Sequence, residues 1–284
     1  MDALTTEPHT PSATMQRAHG RVEVDVYARN GQTALQRLVQ DGCAKARLPK
    51  LGNRTCEQVV LINSSGGITG GDRLAWTVRV GEGAHFTSTS QACEKVYAAK
   101  AQDMAARVTT CIEIGEGASL NWLPQETILF DGAKLHRTID ASMAANSRLL
   151  MVEPVAFGRR AMGEAMASGR FCDQWRIHRG GELVHAEGFE IGGTSGAQLT
   201  PNFAMKDNAA MATLALFAPD AEERLERLNQ LLAASADVMA AATAWNGKLI
   251  ARMVSIDSYH LRRTLVPAIA QLTDGEGVPK VWAL

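Results

Sequence analysis

The sequence predicts a mainly β protein, a winding or stacked β-sheet with a few helices packed on it near the C-terminus. Three observations carry that reading. Apolar and polar residues alternate with period two through much of the first ~200 residues, which puts one side of each segment on a sheet face. The turn Gly81-Glu82-Gly83-Ala84 recurs as Gly115-Glu116-Gly117-Ala118, 34 residues later, and the segments before the two turns match in phase. Beyond residue 220 the apolar spacing becomes helical.

In chain order, residues 1–20 are rich in Thr, Ser, Ala and Pro without an apolar stretch, and read as a flexible tail rather than a secretory signal. Val22, Val24 and Val26 alternate with Glu23 and Asp25. Leu74, Trp76, Val78 and Val80 alternate with Arg73, Thr77 and Arg79, and Ala106, Val108, Ile112 and Ile114 do so with Arg107, Thr109 and Glu113. Further turns are expected at Ala145-Asn146-Ser147 and Gly180-Gly181. Repeated strand–turn–strand units suggest stacking; ordinary hairpins that share turn chemistry are the competing reading. Asp220 is expected to cap a helix near residues 221–241, with Glu222 and Glu223 in its first turn and Leu225, Leu228, Leu231 and Leu232 on one face. Residues 247–255 read as a strand. Asp257 or Ser258 caps a second helix near residues 258–272, with Leu261, Leu265, Ile269 and Leu272 inward and Pro267 expected to kink or shorten it. No linker divides residues 21–284, which are read as one domain.

The formal net charge of -1 argues against a general nucleic-acid binder, and 46% hydrophobic residues suffice for a full core. The nearly apolar run at 209–218 is about half of the ~20 residues a membrane span needs, so no membrane association and a cytoplasmic location are expected. Five widely spaced cysteines with no C-x-x-C suggest neither a disulfide scaffold nor a structural zinc site.

The most unusual local feature is Asn63-Ser64-Ser65-Gly66-Gly67-Ile68-Thr69-Gly70-Gly71-Asp72. It lacks the Lys-Ser/Thr of a phosphate loop and precedes a strand, so a special inter-strand loop with glycines at positive φ is favoured over nucleotide binding. The seven histidines show no H-x-x-x-H spacing. A two-residue Gly180-Gly181 turn would set Arg176 opposite His185 and His178 opposite Leu183, so the two histidines would not converge. Cys93 has a neighbouring lysine but no evident base, and reads as inert. Carboxylates flank apolar strands at Glu126, Asp131, Glu153 and Glu164; acid–base work and plain turn or surface roles both fit their spacing.

The chain resembles the urease accessory protein family UreD, also called UreH, from about residue 21 to the C-terminus. The matching segments are the glycine loop through Asp72, Gly81-Glu82-Gly83-Ala84-His85, Trp122-Leu123-Pro124-Gln125-Glu126, Phe130-Asp131-Gly132, residues 149–154, Phe157-Gly158-Arg159, Ala161-Met162-Gly163-Glu164 and Val278-Pro279-Lys280-Val281-Trp282. The resemblance implies a non-catalytic maturation factor with a mostly β winding fold. It implies binding to the urease apoprotein, recruitment of an F-type accessory protein and a G-type GTPase, and help in nickel delivery. No tightly bound cofactor is expected; nickel(II) would be held transiently, because a carrier must release its cargo. Structural or partner-binding roles are expected for Gly66, Gly67, Gly70, Gly71, Asp72, Asp131, Glu153, Arg159, Gly163 and Glu164, with Asp131, Glu153 and Glu164 as weak metal candidates. Residues 153–164 are expected to form a loop or strand end serving assembly or the metal route. The alternative is a β-solenoid carbohydrate-active enzyme using a carboxylate pair such as Glu153 with Glu164.

Overall fold

The computed structural model describes residues 16–49, 57–159, 162–192, 208–273 and 276–283. Arg160, Ala161, Cys56 and most of the expected tail lie outside them. The strands are β1 (His19–Arg29), β2 (Gln32–Gly42), β3 (Ala44–Arg47), β4 (Gln58–Asn63), β5 (Arg73–Val80), β6 (His85–Ser90), β7 (Glu94–Val96), β8 (Ala106–Ile114) and β9 (Ser119–Leu123). They continue with β10 (Thr127–Leu129), β11 (Ala133–Met143), β12 (Arg148–Phe157), β13 (Gly169–Arg179), β14 (Glu182–Ile191), β15 (Ala210–Phe217), β16 (Val238–Trp245) and β17 (Lys248–Ser255). Two helices complete the set, α1 (Leu225–Ala233) and α2 (Ser258–Leu272).

The strands form two mixed sheets. One has the order β14-β13-β11-β8-β5-β1-β2, and the other runs β16-β17-β15-β12-β9-β6-β4-β3. From β4 to β13 the chain coils, each turn giving one strand to each sheet, so neighbours in both sheets are parallel. The stacking reading is therefore correct for the centre of the molecule, and the 34-residue echo is its register. Leu74 pairs with Val108 and Val78 with Ile112 in one sheet, and Phe86 with Leu120 in the other. A third, short ladder closes the coil at the ends of the longer loops, where Ile68, Val96, Leu129 and Phe157 stack in succession.

Antiparallel hairpins flank the coil. Asn30-Gly31 and Asn246-Gly247 take positive φ at both central positions, as two-residue turns matched to strand twist require. Gly180-Gly181 does the same, but a bulge between Ile177 and His178 sets Ile177, not Arg176, opposite His185; His178 faces Leu183 as expected.

Burial follows the alternation. Inward residues of both sheets make one core, including Val22, Val24, Val78, Ile112, Leu120, Ile139, Leu149 and Trp175. The other face of the second sheet is covered by α1 and α2, where Leu150, Val152, Leu214, Leu228, Leu265 and Ile269 pack. Being covered on both faces, β12 is almost wholly apolar from Leu149 to Phe157, interrupted by Glu153.

The C-terminal expectations hold in part. Helix α2 has the expected bounds, with the Asp257 carboxylate accepting from the His260 N–H at 2.8 Å. Pro267 does not end it; the helix continues to Leu272. The first helix is shorter than residues 221–241. A 3-10 turn at Glu222–Arg224 leads into α1, and Val238–Trp245 pairs with β17 as a strand. Asp220 caps nothing; its carboxylate pairs with Arg224 and Arg148.

Within the glycine loop, Gly66, Gly67 and Gly71 have positive φ, as expected. Gly70 does not; it is needed for space. A Cβ there would stand 2.7 Å from Ala99 Cβ and 2.9 Å from the Met104 carbonyl oxygen. Gly70→Val should therefore lower soluble yield and melting temperature, whereas an unchanged melting temperature would mean that the loop yields without cost.

Candidate functional site

Strict alternation on β11 places Ala133, Leu135, Arg137, Ile139 and Ala141 inward, so a guanidinium occupies a core position. The same phase puts Glu153 inward between Met151 and Val155 on β12, and Asp173 inward between Phe171 and Trp175 on β13. The three meet between the sheets. Arg137 Nε and Nη2 donate to the two Asp173 oxygens at 2.9 and 2.6 Å. Its Nη1 donates to Glu153 Oε2 at 2.5 Å and to Thr127 Oγ1 at 3.3 Å. Trp122 Nε1 donates to the other Glu153 oxygen at 2.8 Å. Arg137 and Glu153 are each about 5% exposed, so these charges depend on one another for solvation. Burial pushes the Glu153 carboxyl up, Arg137 pulls it back, and Asp173 adds to the rise. Burial alone would lower Arg137; the two carboxylates hold it above its ordinary value.

Glu153 and Arg137 line a cavity of about 240 Å³ between the sheets, with Trp76, Ser88, Glu94 and Trp122 among its other walls. Ser88 is fully buried and its Oγ has no hydrogen-bond partner. Glu94 accepts from Asn63 Nδ2 at 3.0 Å, and burial pushes its carboxyl up to about 7. The cavity wall thus combines the Glu94 and Glu153 carboxyl groups and the hydroxyl residues Ser88, Thr89, Ser90, Thr110 and Thr127 with the cations Arg137 and Lys95 and apolar side chains. Oxygen donors of this kind can hold a small hydrated cation loosely. Among the described residues no three His, Cys, Asp or Glu side chains come together as a ready-made metal cage.

Beside the cavity, the C-terminal segment is pinned down. Trp282 is buried, its Nε1 donating to Thr89 Oγ1 and the Leu123 carbonyl at 3.2 and 3.1 Å. Arg262 stacks on its ring, 4.8 Å from the centroid, and donates to both Glu126 oxygens. The Gln125 amide, also on the cavity wall, donates to the carbonyls of Gln91 and Val281. Cys93 Sγ donates to Glu126 Oε2 at 3.3 Å; burial and that carboxylate push its thiol up to about 12.

The residues singled out from the sequence fall into separate places. Residues 153–164 are not one unit: Glu153 lies inside β12, partnered by Arg137 rather than by Arg159, while Glu164 is in the following loop. There the Glu164 carboxylate pairs with Arg159 and accepts the Asp131 N–H at 2.9 Å, which together hold it below the usual range. Arg159 also stacks on Phe130, 4.4 Å from the ring centroid. Asp131 Oδ1 accepts from the Ala167 N–H, the Ser168 N–H and Ser168 Oγ. Although partial burial works against it, these donors keep the carboxyl below its ordinary value. Asp131, Arg159 and Glu164 thus tie two loops together, and Gly163 turns at positive φ between them. Asp72 is buried and holds the Ala18 and Thr69 N–H groups at 2.8 Å, fixing the glycine loop against the chain entering β1. Arg137, Asp173, Glu94 and Ser88 were not among the candidates. The signal for the first two was present: a charge in the inward phase of a strand.

No helix among the described residues is long and apolar enough to cross a membrane. The family profile described as "UreD urease accessory protein" matches residues 18–283. A "Urease accessory protein UreD" of Chelativorans sp. (strain BNC1) is 42% identical over 280 residues, 99% of each chain. Proteins of the same name from Agrobacterium fabrum (strain C58 / ATCC 33970) and Sinorhizobium medicae (strain WSM419) are 45% and 44% identical. Those alignments cover 95% of this chain and 92% and 97% of the relatives. Members are accessory proteins rather than the catalyst itself, and with a family profile spanning both sheets and both helices, the chain belongs to the UreD family of urease accessory proteins.

Proposed function

We propose that this chain acts in the cytoplasm as a scaffold for urease maturation. It binds the urease apoprotein, works with an F-type accessory protein and a G-type GTPase, and passes nickel(II) toward the urease site. Family membership supports the maturation role. The observation that carries the nickel reading is the interior cavity with the Glu94 and Glu153 carboxylates and the unpartnered Ser88 hydroxyl on its wall. Two carboxylates without a third protein ligand suit a cation that must move on, since a closed ligand set would retain it. A carbohydrate-active enzyme finds no support here, because Glu153 is buried between sheets and Glu164 lies on a surface loop bonded to Arg159, so they do not face one groove.

Co-expression with the urease subunits and the two other accessory proteins tests the reading. The chain should co-purify with apo-urease, and urease made without it should be depleted in nickel. Urease carrying its full nickel in the absence of the chain would end the proposal.

Nickel binding by the isolated chain should be weak and should not depend on Cys93. A thiol must lose its proton to ligate a metal, and this one, pushed up to about 12, keeps it at neutral pH. Calorimetry should give the same shallow Ni²⁺ isotherm for wild type and Cys93→Ala; a tight isotherm lost in the variant would contradict this.

A further inference from the structure

The Arg137 guanidinium holds its two carboxylates unequally. Asp173 receives two bonds, from Nε and Nη2, in the forked geometry that suits arginine. Glu153 receives one, from Nη1. Only the weaker partner faces the cavity: Glu153 is on its wall, and Asp173 is not among the lining residues.

We propose that Arg137 is an exchangeable internal counter-ion, kept in place by Asp173 while it yields Glu153 to a divalent cation in the cavity. The proposal rests on the nickel reading above and names the residue that regulates it. Exchange costs Arg137 a single bond, from the Nη1 hydrogen that faced Glu153, and leaves the rest of its network in place. When Glu153 turns to the cation, Arg137 Nη1 retains Thr127 Oγ1, and Nε and Nη2 retain Asp173. Trp122 Nε1 retains Glu153 Oε1, which keeps the carboxylate at the wall. The charge count points the same way. An entering divalent cation would supply the second positive charge that two carboxyl groups sharing one guanidinium lack between the sheets. Without Asp173, Glu153 would be the sole anion available to Arg137, and the cation would have to break a buried ion pair outright. Asp173 is therefore a positioning residue acting through Arg137.

The test uses the full chain co-expressed with urease and the other accessory proteins, with three variants: Asp173→Asn, Asp173→Glu and Glu153→Gln. Soluble yield, co-purification and nickel per urease active site are measured for each. Asp173→Asn should assemble normally yet deliver about tenfold less nickel, the scale of one charge-assisted hydrogen bond, and Asp173→Glu should restore much of it. If Asp173→Asn delivers wild-type nickel while Glu153→Gln does not, the counter-ion inference is overturned and the cavity route stands. If both deliver wild-type nickel, the route itself is wrong. Should Asp173→Asn fail to accumulate, Ni²⁺ titration of the purified wild-type chain replaces it, read by tryptophan emission against Trp122→Phe. Quenching that loses a component in Trp122→Phe shows the cation reaching the Glu153 end of the cavity; identical quenching in both proteins overturns the proposal.

Discussion

Arg137→Ala should destabilise the chain by about 3–5 kcal/mol, because it leaves Glu153 and Asp173 as two uncompensated carboxylates between the sheets. The loss has three physical parts. The charge-assisted hydrogen bonds to both acids disappear, space opens where the guanidinium lay over the Phe171 ring, and two nearby buried carboxyl groups lose their shared counter-ion. Chemical denaturation followed by circular dichroism measures it. Arg137→Lys should recover only part of the loss, since one ammonium cannot fork two carboxylates. A midpoint within about 0.5 kcal/mol of wild type for Arg137→Ala would mean that the acids find other partners, and the buried network would lose its structural importance.

Trp282→Ala should cost about as much, roughly 3–5 kcal/mol, although the residue lies near the end of the chain. Its ring is only 3% exposed and forms the platform on which Arg262 stacks. Its Nε1–H holds Thr89 and Leu123, which belong to neighbouring strands of the coil. Removing it also loosens the grip of Arg262 on Glu126 and that of Gln125 on the Val281 carbonyl. Trp282→Phe should retain most of the packing and lose about 1 kcal/mol for the hydrogen bonds. Equal unfolding midpoints for Trp282→Ala and wild type would show that the terminal segment docks without contributing to stability.

The errors in reading the C-terminal third have a common physical origin. Val238–Trp245 is rich in alanine, a helix former, and so invited extension of the preceding helix; pairing with β17 overrode that weak preference. The corrective signal was local. Asn246-Gly247 between two apolar runs specifies a tight hairpin, because both positions tolerate positive φ. Asp220 looked like a cap by residue type, yet a cap requires a free helix N-terminus at the right position, and two arginines claim this carboxylate.

What the sequence determined by itself is whatever repeats along it or lies within one segment. Alternation assigned the inward faces of β1, β5 and β8, and the Gly-Glu-Gly-Ala echo carried the register of parallel neighbours, because each coil turn must return the same phase to the same sheet. Asp257 and the apolar face after it were enough for α2. What only the tertiary structure decided is which distant side chains share the interior. Arg137 reaches Glu153 from 16 positions away and Asp173 from 36, and Arg262 reaches Glu126 across 136. Those separations have no local signature, since they are set by how many residues each coil turn and loop happens to spend. A charge in the inward phase of a strand reveals that a partner must exist, because an unpaired buried charge is too costly to keep; its identity follows only once the sheets are stacked.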